Sequence, residues 1–358
     1  KSYSEWSIPY KQVFYANTVL DLLPDLRNTA SSDTEWNQVK GRALFHRAFS
    51  HYQLAQLFCQ PYSQGGENNP GIPVRTSAHL GIPVRRATVK ETYDQIIADL
   101  EEAKTLLPVK AVHALYPSLP AALAMLSKVH LAMQHYEQAE KYAGQVLQLQ
   151  STLINYNTLD PTSVRPFPRF NAEVLFHEES YVYQFTYSPL AYMDTLLYDS
   201  YAPNDLRKTV FFRNRVPGRH TFKGQYSGIA SLFTGLAIDE VYLTRAECRA
   251  RSGNVAGALE DLNTLLVTRF KTNTFVPIAV TNSDALLEII LQERRKQLVF
   301  RPERWTDSRR LNQDARFERT MARKLQGQLY HLAPNSQRYV FEIPVDEITY
   351  SNIEQNPR

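Results

Sequence analysis

Between Ala121 and Leu149 the chain reads AALAMLSKVHLAMQHYEQAEKYAGQVLQL, two helical stripes laid end to end around a polar break at Gln134 and His135. Ala122, Met125, Leu126, Val129, Ala132 and Met133 recur with a period near 3.6 and line one helix face. Tyr136, Ala139, Ala143, Val146 and Leu147 repeat the pattern. The small Ala139 and Ala143 let the two helices approach closely as an antiparallel hairpin.

A second hairpin of the same design follows about 120 residues later. Val241, Leu243, Ala246 and Ala250 form its first stripe, Ser252-Gly253-Asn254 its turn, and Val255, Ala258, Leu259, Leu262, Leu265 and Leu266 its second. Gly253 or Asn254 can take the left-handed conformation that a helix end favours. Small residues facing small residues in pairs of this length mark tetratricopeptide-type units, and their wide separation excludes a tandem solenoid. Further helices are expected over residues 1–27, ending near Pro24, over 35–58, apolar on most sides and therefore buried, and over 283–299. Thr88 to Glu91 reads TVKE, a capping box opening a helix that Pro108 stops. Residues 59–87 carry too many prolines and glycines for a helix and form a long surface excursion. The charged segment after Val299, to Lys324, reads as a solvated helix, and Tyr339 to Ile343 as extended chain before Pro344.

Several function classes are disfavoured. The 40 basic and 36 acidic residues leave a net charge of only +4, spread along the chain, so no strong field toward nucleic acid or anionic membrane is expected. The basic run Arg309, Arg310, Arg316, Arg319, Arg323 and Lys324 is interleaved with Asp307, Asp314 and Glu318. His177-Glu178-Glu179 lacks the second histidine of a zinc-protease motif, and His46/His51 and His130/His135 are spaced by five rather than four, so no metal or other cofactor is expected. GQYSG at 224–228 is not a nucleophile elbow, and no phosphate-binding glycine motif occurs. A binding protein is therefore favoured over an enzyme. Cys59 and Cys248 lie in apolar helical contexts, where free cysteine behaves as a small hydrophobe. Trp6 and Trp305 sit in helical spacing and read as packing residues.

From 150 to about 235 helical periodicity fades, apart from a short segment around Met193 to Tyr198, and tyrosine, phenylalanine and proline become dense. Val174 to Tyr187 can hold a strand or two. Here Tyr181, Tyr183, Tyr187 and Tyr192 stand outside any helical stripe, near Glu178, Glu179, Gln184 and Asp194. A sugar ring has apolar C–H faces and a rim of hydroxyls, so flat aromatic platforms flanked by amide, carboxylate or arginine groups hold it. Tyr181, Tyr183, Tyr187, Tyr192, Glu179 and Gln184 are the candidate ligand contacts. An extended peptide would use the same platforms, so glycan and peptide both stand.

In order along the chain, several segments resemble the SusD/RagB family of outer-membrane nutrient-binding lipoproteins: KGRALFHRAFSHYQLAQLFCQPY from Lys40, PGIPVR from Pro70, ATVKETYDQIIADLEEAKTLLP from Ala87, IDEVYLTRAECRARSGNVAGALEDLNTLL from Ile238, and YVFEIPVDEITYSNIEQNPR from Tyr339. The match departs at ERRKQLVFRPERWTDSRR, Glu293 to Arg310, where Gln297, Arg301, Pro302 and Ser308 replace the family's usual Glu, Glu, Gly and Leu; local ion pairing and one turn should differ there. The resemblance implies a mainly α, SusD-like single domain of tetratricopeptide-like hairpins: a helical scaffold over 35–149 with the loop at 59–87, an irregular Tyr-rich ligand-facing region over 150–235, and a helical part and tail over 236–358. It further implies a non-catalytic, surface-exposed lipoprotein of the outer membrane, anchored through a lipid upstream of Lys1. Such proteins present oligosaccharide, or in some members peptide, to a SusC-like TonB-dependent transporter. A tetratricopeptide-type adaptor binding a protein partner and no nutrient is the alternative.

Overall fold

The computed structural model describes residues 4–27, 32–181, 188 and 190–358. It is mainly helical. In chain order the elements are α1 (Ser4–Leu22), α2 (Asp33–Phe58), α3 (Val89–Leu106), α4 (Leu119–Ala132), α5 (Tyr136–Leu149), β1 (Val174–Phe176), α6 (Thr195–Asp199), α7 (Arg207–Val210), β2 (Phe212–Val216), β3 (Arg219–Phe222), β4 (Leu236–Ala237), α8 (Ile238–Arg251), α9 (Val255–Val267), α10 (Ser283–Gln297), α11 (Glu303–Leu311), β5 (Met321–Leu325), β6 (Gln328–Leu332) and α12 (Val345–Ser351). The described strands pair only two at a time. The chain forms two compact units, one of residues 1–108, 128–135 and 305–358, the other of 109–127 and 136–304.

In the first unit α2 lies between α1 and α3 and is buried over most of its length, as a helix apolar on most sides must be. Gly41 permits the approach to α3, since a Cβ there would stand 3.0 Å from Leu106 Cβ. Arg47, nearly buried, ties the helices together: it donates to both oxygens of Asp99 on α3 at 2.8 and 2.6 Å and to Asn17 Oδ1 on α1 at 3.0 Å. The capping box is formed as the sequence implies, with Thr88 Oγ1 accepting from Glu91 N and Glu91 Oε2 from Thr88 N. The excursion 59–87 contains no helix or strand. The chain's last residues hold it: Arg86 donates to Gly71 O, Glu354 O and Asn356 Oδ1, and Asn356 Nδ2 to Phe58 O and Phe341 O. Ile343 and Gln355 exchange two further bonds, Ile343 N to Gln355 Oε1 and Gln355 Nε2 to Ile343 O. The closing IP and QNP motifs are thus a clasp. Trp6 packs on Tyr10 and Phe58, the packing role expected of it; Trp305 likewise packs on Tyr339 and Phe341.

The charged segment after Val299 is not a solvated helix. Helix α11 ends at Leu311, and Arg309 and Arg310 are each 2% exposed. Arg309 donates to the carbonyls of Gln56 and Cys59, capping the end of α2. Arg323 and Lys324 lie on the hairpin β5–β6, whose turn residues Gln326 and Gly327 have φ of 49° and 84°, the pair of positive angles that a tight hairpin turn requires.

In the second unit α8 is packed by α5, α9 and α10. Gly253, at φ 82°, makes the left-handed turn between α8 and α9, and Asn254 caps α9 by accepting from Gly257 N. Strand β1 is only three residues long and pairs with β4. Beneath the irregular segments lies an aromatic layer including Tyr156, Phe167, Phe211, Phe212, Tyr226 and Phe233. Below it the charges are wholly buried and wholly paired. Arg269 donates to both Glu173 oxygens at 2.8 and 3.0 Å, and Tyr226 OH to Glu173 at 2.7 Å. Gln297 Nε2 bridges Tyr156 OH and Asp239, and Arg301 meets Asp239 bidentately at 3.0 and 2.7 Å while donating to Gln225. Gln297 and Arg301, the departures from the family pattern, are therefore central to one network. Burial pushes the Asp239 carboxyl up, but Arg301 and Arg269 outweigh it and hold it below the carboxylate range. For Glu173 burial wins over Arg269, and its pKa is raised.

Candidate functional site

A cleft of about 130 Å³ opens on the irregular part of the second unit. The hairpin β2–β3 supplies most of one wall. Pro217-Gly218 turns it, Gly218 at φ 75°; Arg213 pairs with Thr221, and Arg215, in the bulge between Asn214 and Val216, reaches the same threonine by donating to its Oγ1 at 3.4 Å. Arg213, Arg215, Thr221, Phe222 and Lys223 line the cleft, with Arg165 and Phe300 brought from distant parts of the chain.

Phe222 and Phe300 are stacked, with centroids 4.3 Å apart and planes at 15°. Phe300 has φ 60°, a left-handed conformation that costs a bulky side chain on the order of 1–3 kcal/mol and persists only where the surroundings enforce it. Lys223 donates to the carbonyls of Pro161 and Thr209 at 2.6 and 2.8 Å. Burial and the neighbouring Arg213 hold its pKa below the usual lysine range. No carboxylate lines the cleft among the described residues.

Of the predicted contacts, Tyr192 lies beside this cleft without lining it. It bridges to Thr221 opposite Arg213, its neighbour Ala191 lines the cleft, and the Arg219 guanidinium stands 5.1 Å over its ring. Tyr181 is 63% exposed. Glu179 is engaged within the protein: it accepts from Arg169 at 2.8 Å and faces His177 Nε2 at 2.6 Å. Burial outweighs that carboxylate and lowers the His177 pKa. Tyr183, Gln184 and Tyr187 lie outside the described residues. The cations and Phe300 were missed. The alternating Arg213 and Arg215 ahead of a Pro-Gly turn were the available signal for the first wall; Arg165 and Phe300 carried none.

The first unit has a cavity of its own, about 220 Å³, lined by amides such as Gln60, Asn69, Asn312 and Gln313. Asn312 Nδ2, Arg309 Nε and Tyr339 OH are buried there without partners, and a polar space of this kind suits ordered water. His130 and His135 lie with rings 5.8 Å apart despite their spacing, because α4 ends at Ala132 and the chain folds back. Among the described residues no cluster of histidine, cysteine or acid is arranged to hold a metal, and no helix is long and apolar enough to cross a membrane. Both cysteines are buried free thiols.

Residues 168–357 match the SusD family. The chain belongs to that family. Residues 1–131 match a second SusD-like family described as starch-binding associating with outer membrane. The SusD-like protein P2 of Formosa agariphila is 31% identical over 112 residues, 31% of this chain; the aligned stretch spans 21% of that relative. A SusD superfamily protein from Bacteroides thetaiotaomicron superposes with TM-score 0.78 at 24% identity, covering 99% of this chain and 85% of that one. A laminarin binding SusD-like protein does so with TM-score 0.70 at 19% identity, covering 99% and 86%. These structural likenesses establish the SusD fold.

Proposed function

We propose that this SusD-family chain captures oligosaccharide at the outer-membrane surface without chemistry and passes it to a TonB-dependent transporter. The observation that carries the reading is the cleft: a stacked Phe222–Phe300 pair beside hydrogen-bond donors, with Tyr192 at its edge under Arg219. Flat aromatic faces take the C–H side of a sugar ring, and guanidinium and hydroxyl groups take its oxygens. The family match and the SusD-like fold shared with a laminarin-binding protein support a glycan over a peptide. Glu179, satisfied by Arg169 and His177, braces the loop rather than meeting ligand.

Titration calorimetry on the full chain against an oligosaccharide panel is expected to show saturable binding, with no shorter product on prolonged incubation. Tyr192→Ala should weaken binding about tenfold, the ~1–1.5 kcal/mol expected of one aromatic contact, with unchanged thermal stability. Release of product would require an enzyme instead. Failure to co-purify with a transporter expressed beside it would refute the delivery step.

A further inference from the structure

In the second unit the cations of the interior and those lining the cleft differ in their ion pairing. Those of its interior are neutralised: Arg207 by Asp205 and Glu293, Arg269 by Glu173, Arg301 by Asp239, and Arg245 by Asp261. Arg165, Arg213, Arg215 and Lys223, which converge on the cleft, form no ion pair among the described residues. The nearest acid to act on Lys223 is Asp160, and its carboxylate is taken by the hydroxyl and amide of Thr162.

The second unit pairs the arginines of its interior yet gathers four cations without an ion-pair partner around one cleft, which leaves positive charge there for something that enters. We infer that the cleft binds an oligosaccharide carrying anionic substituents, a sulfate ester or a uronate carboxylate. Both present coplanar or pyramidal oxygens that match the fork of a guanidinium, and both relieve the repulsion between Arg213 and Lys223. The Phe222–Phe300 stack offers the sugar ring a platform next to those cations. This deepens the proposed function and rests on it.

The test uses the full chain and calorimetry with size-matched neutral β-glucan, oligogalacturonate and sulfated galactan oligosaccharides, plus an oligoglutamate peptide, at 50 and 300 mM NaCl. One or both acidic glycans should bind at least tenfold more tightly than the neutral one, and lose at least fivefold in the higher salt. The two acidic arms tell sulfate from carboxylate. Arg213→Gln combined with Arg215→Gln should weaken acidic-glycan binding at least tenfold more than neutral-glycan binding with the melting temperature in place, and Arg85→Gln, far along the sequence, should do nothing. Should the double variant fold poorly, the salt dependence of the unmodified chain decides alone. Equal, salt-independent binding of neutral and acidic glycans overturns the inference and leaves the function standing. Binding to no glycan, or to the acidic peptide only, overturns both.

Discussion

Arg269 shows what a single side chain holds in this molecule. Its guanidinium lies 4.2 Å over the Tyr156 ring, fully buried, and compensates Glu173, which itself receives Tyr226 and Ile154 N. Removing one partner of such a pair strands a charge without water, which costs about 3–5 kcal/mol, far more than the pair's own net contribution. Arg269→Met should therefore lower the unfolding free energy obtained from urea denaturation by that order, and a loss under about 1 kcal/mol would show that Glu173 finds another partner or a proton. The same network explains why residue-level reading fell short. Gln297 and Arg301 stand where the family carries glutamates, so the sequence alone suggested lost ion pairing. In the fold their partners come from Tyr156, Gln225 and Asp239, and proximity of that kind is invisible along the chain.

At the scale of elements, what was local was legible. The two hairpins, the capping box and the stop at Pro108 follow from periodicity and capping chemistry, which operate within a few residues. Charge misled at α11, where Arg309 looked solvated but caps the carbonyl end of α2, a contact spanning some 250 residues. None of the cleft's lining was legible, Tyr192 being only the neighbour of Ala191, because its walls join Arg165, the β2–β3 hairpin and Phe300. The β1–β4 pair offers a sharp test of packing. A Cβ on Gly235 would lie 2.1 Å from Phe176 O and 2.8 Å from Glu178 N, both backbone atoms that cannot swing aside. Gly235→Ala should cost about 2–3 kcal/mol by thermal denaturation and loosen the segment carrying Glu179. Gly144, in α5 with open space around it, is the control: Gly144→Ala should stabilise by up to ~1 kcal/mol.

Over the whole molecule, acid is the condition that discriminates. In the first unit burial lowers the pKa of His51 to about 3 and of His46 and His130 to about 4. The unfolded chain takes up these protons near pH 6.5 while the folded one refuses them, so stability should fall as pH drops from about 6.5 toward about 3 and level off below. Asp99, whose carboxyl burial pushes up, works weakly in the opposite sense. Urea midpoints across pH 4 to 7.5 measure the slope, and His51→Gln should flatten it; a flat profile in the unmodified chain would mean that the imidazoles are wet. In the second unit Asp239 and Glu293, held low by their arginines despite burial, give way only in stronger acid.

The clasp made by Arg86, Asn356 and Gln355 has a consequence for how such a molecule is born. One compact unit joins residues 1–108 to residues 305–358, while the other is assembled from residues between 109 and 304. Helices α1 to α3 precede by some 250 residues the strap that pins their long excursion. Until Gln355 and Asn356 are in place those helices wait with one flank bare, so a chain cut short of them leaves an open, protease-accessible form rather than a shortened but sound one.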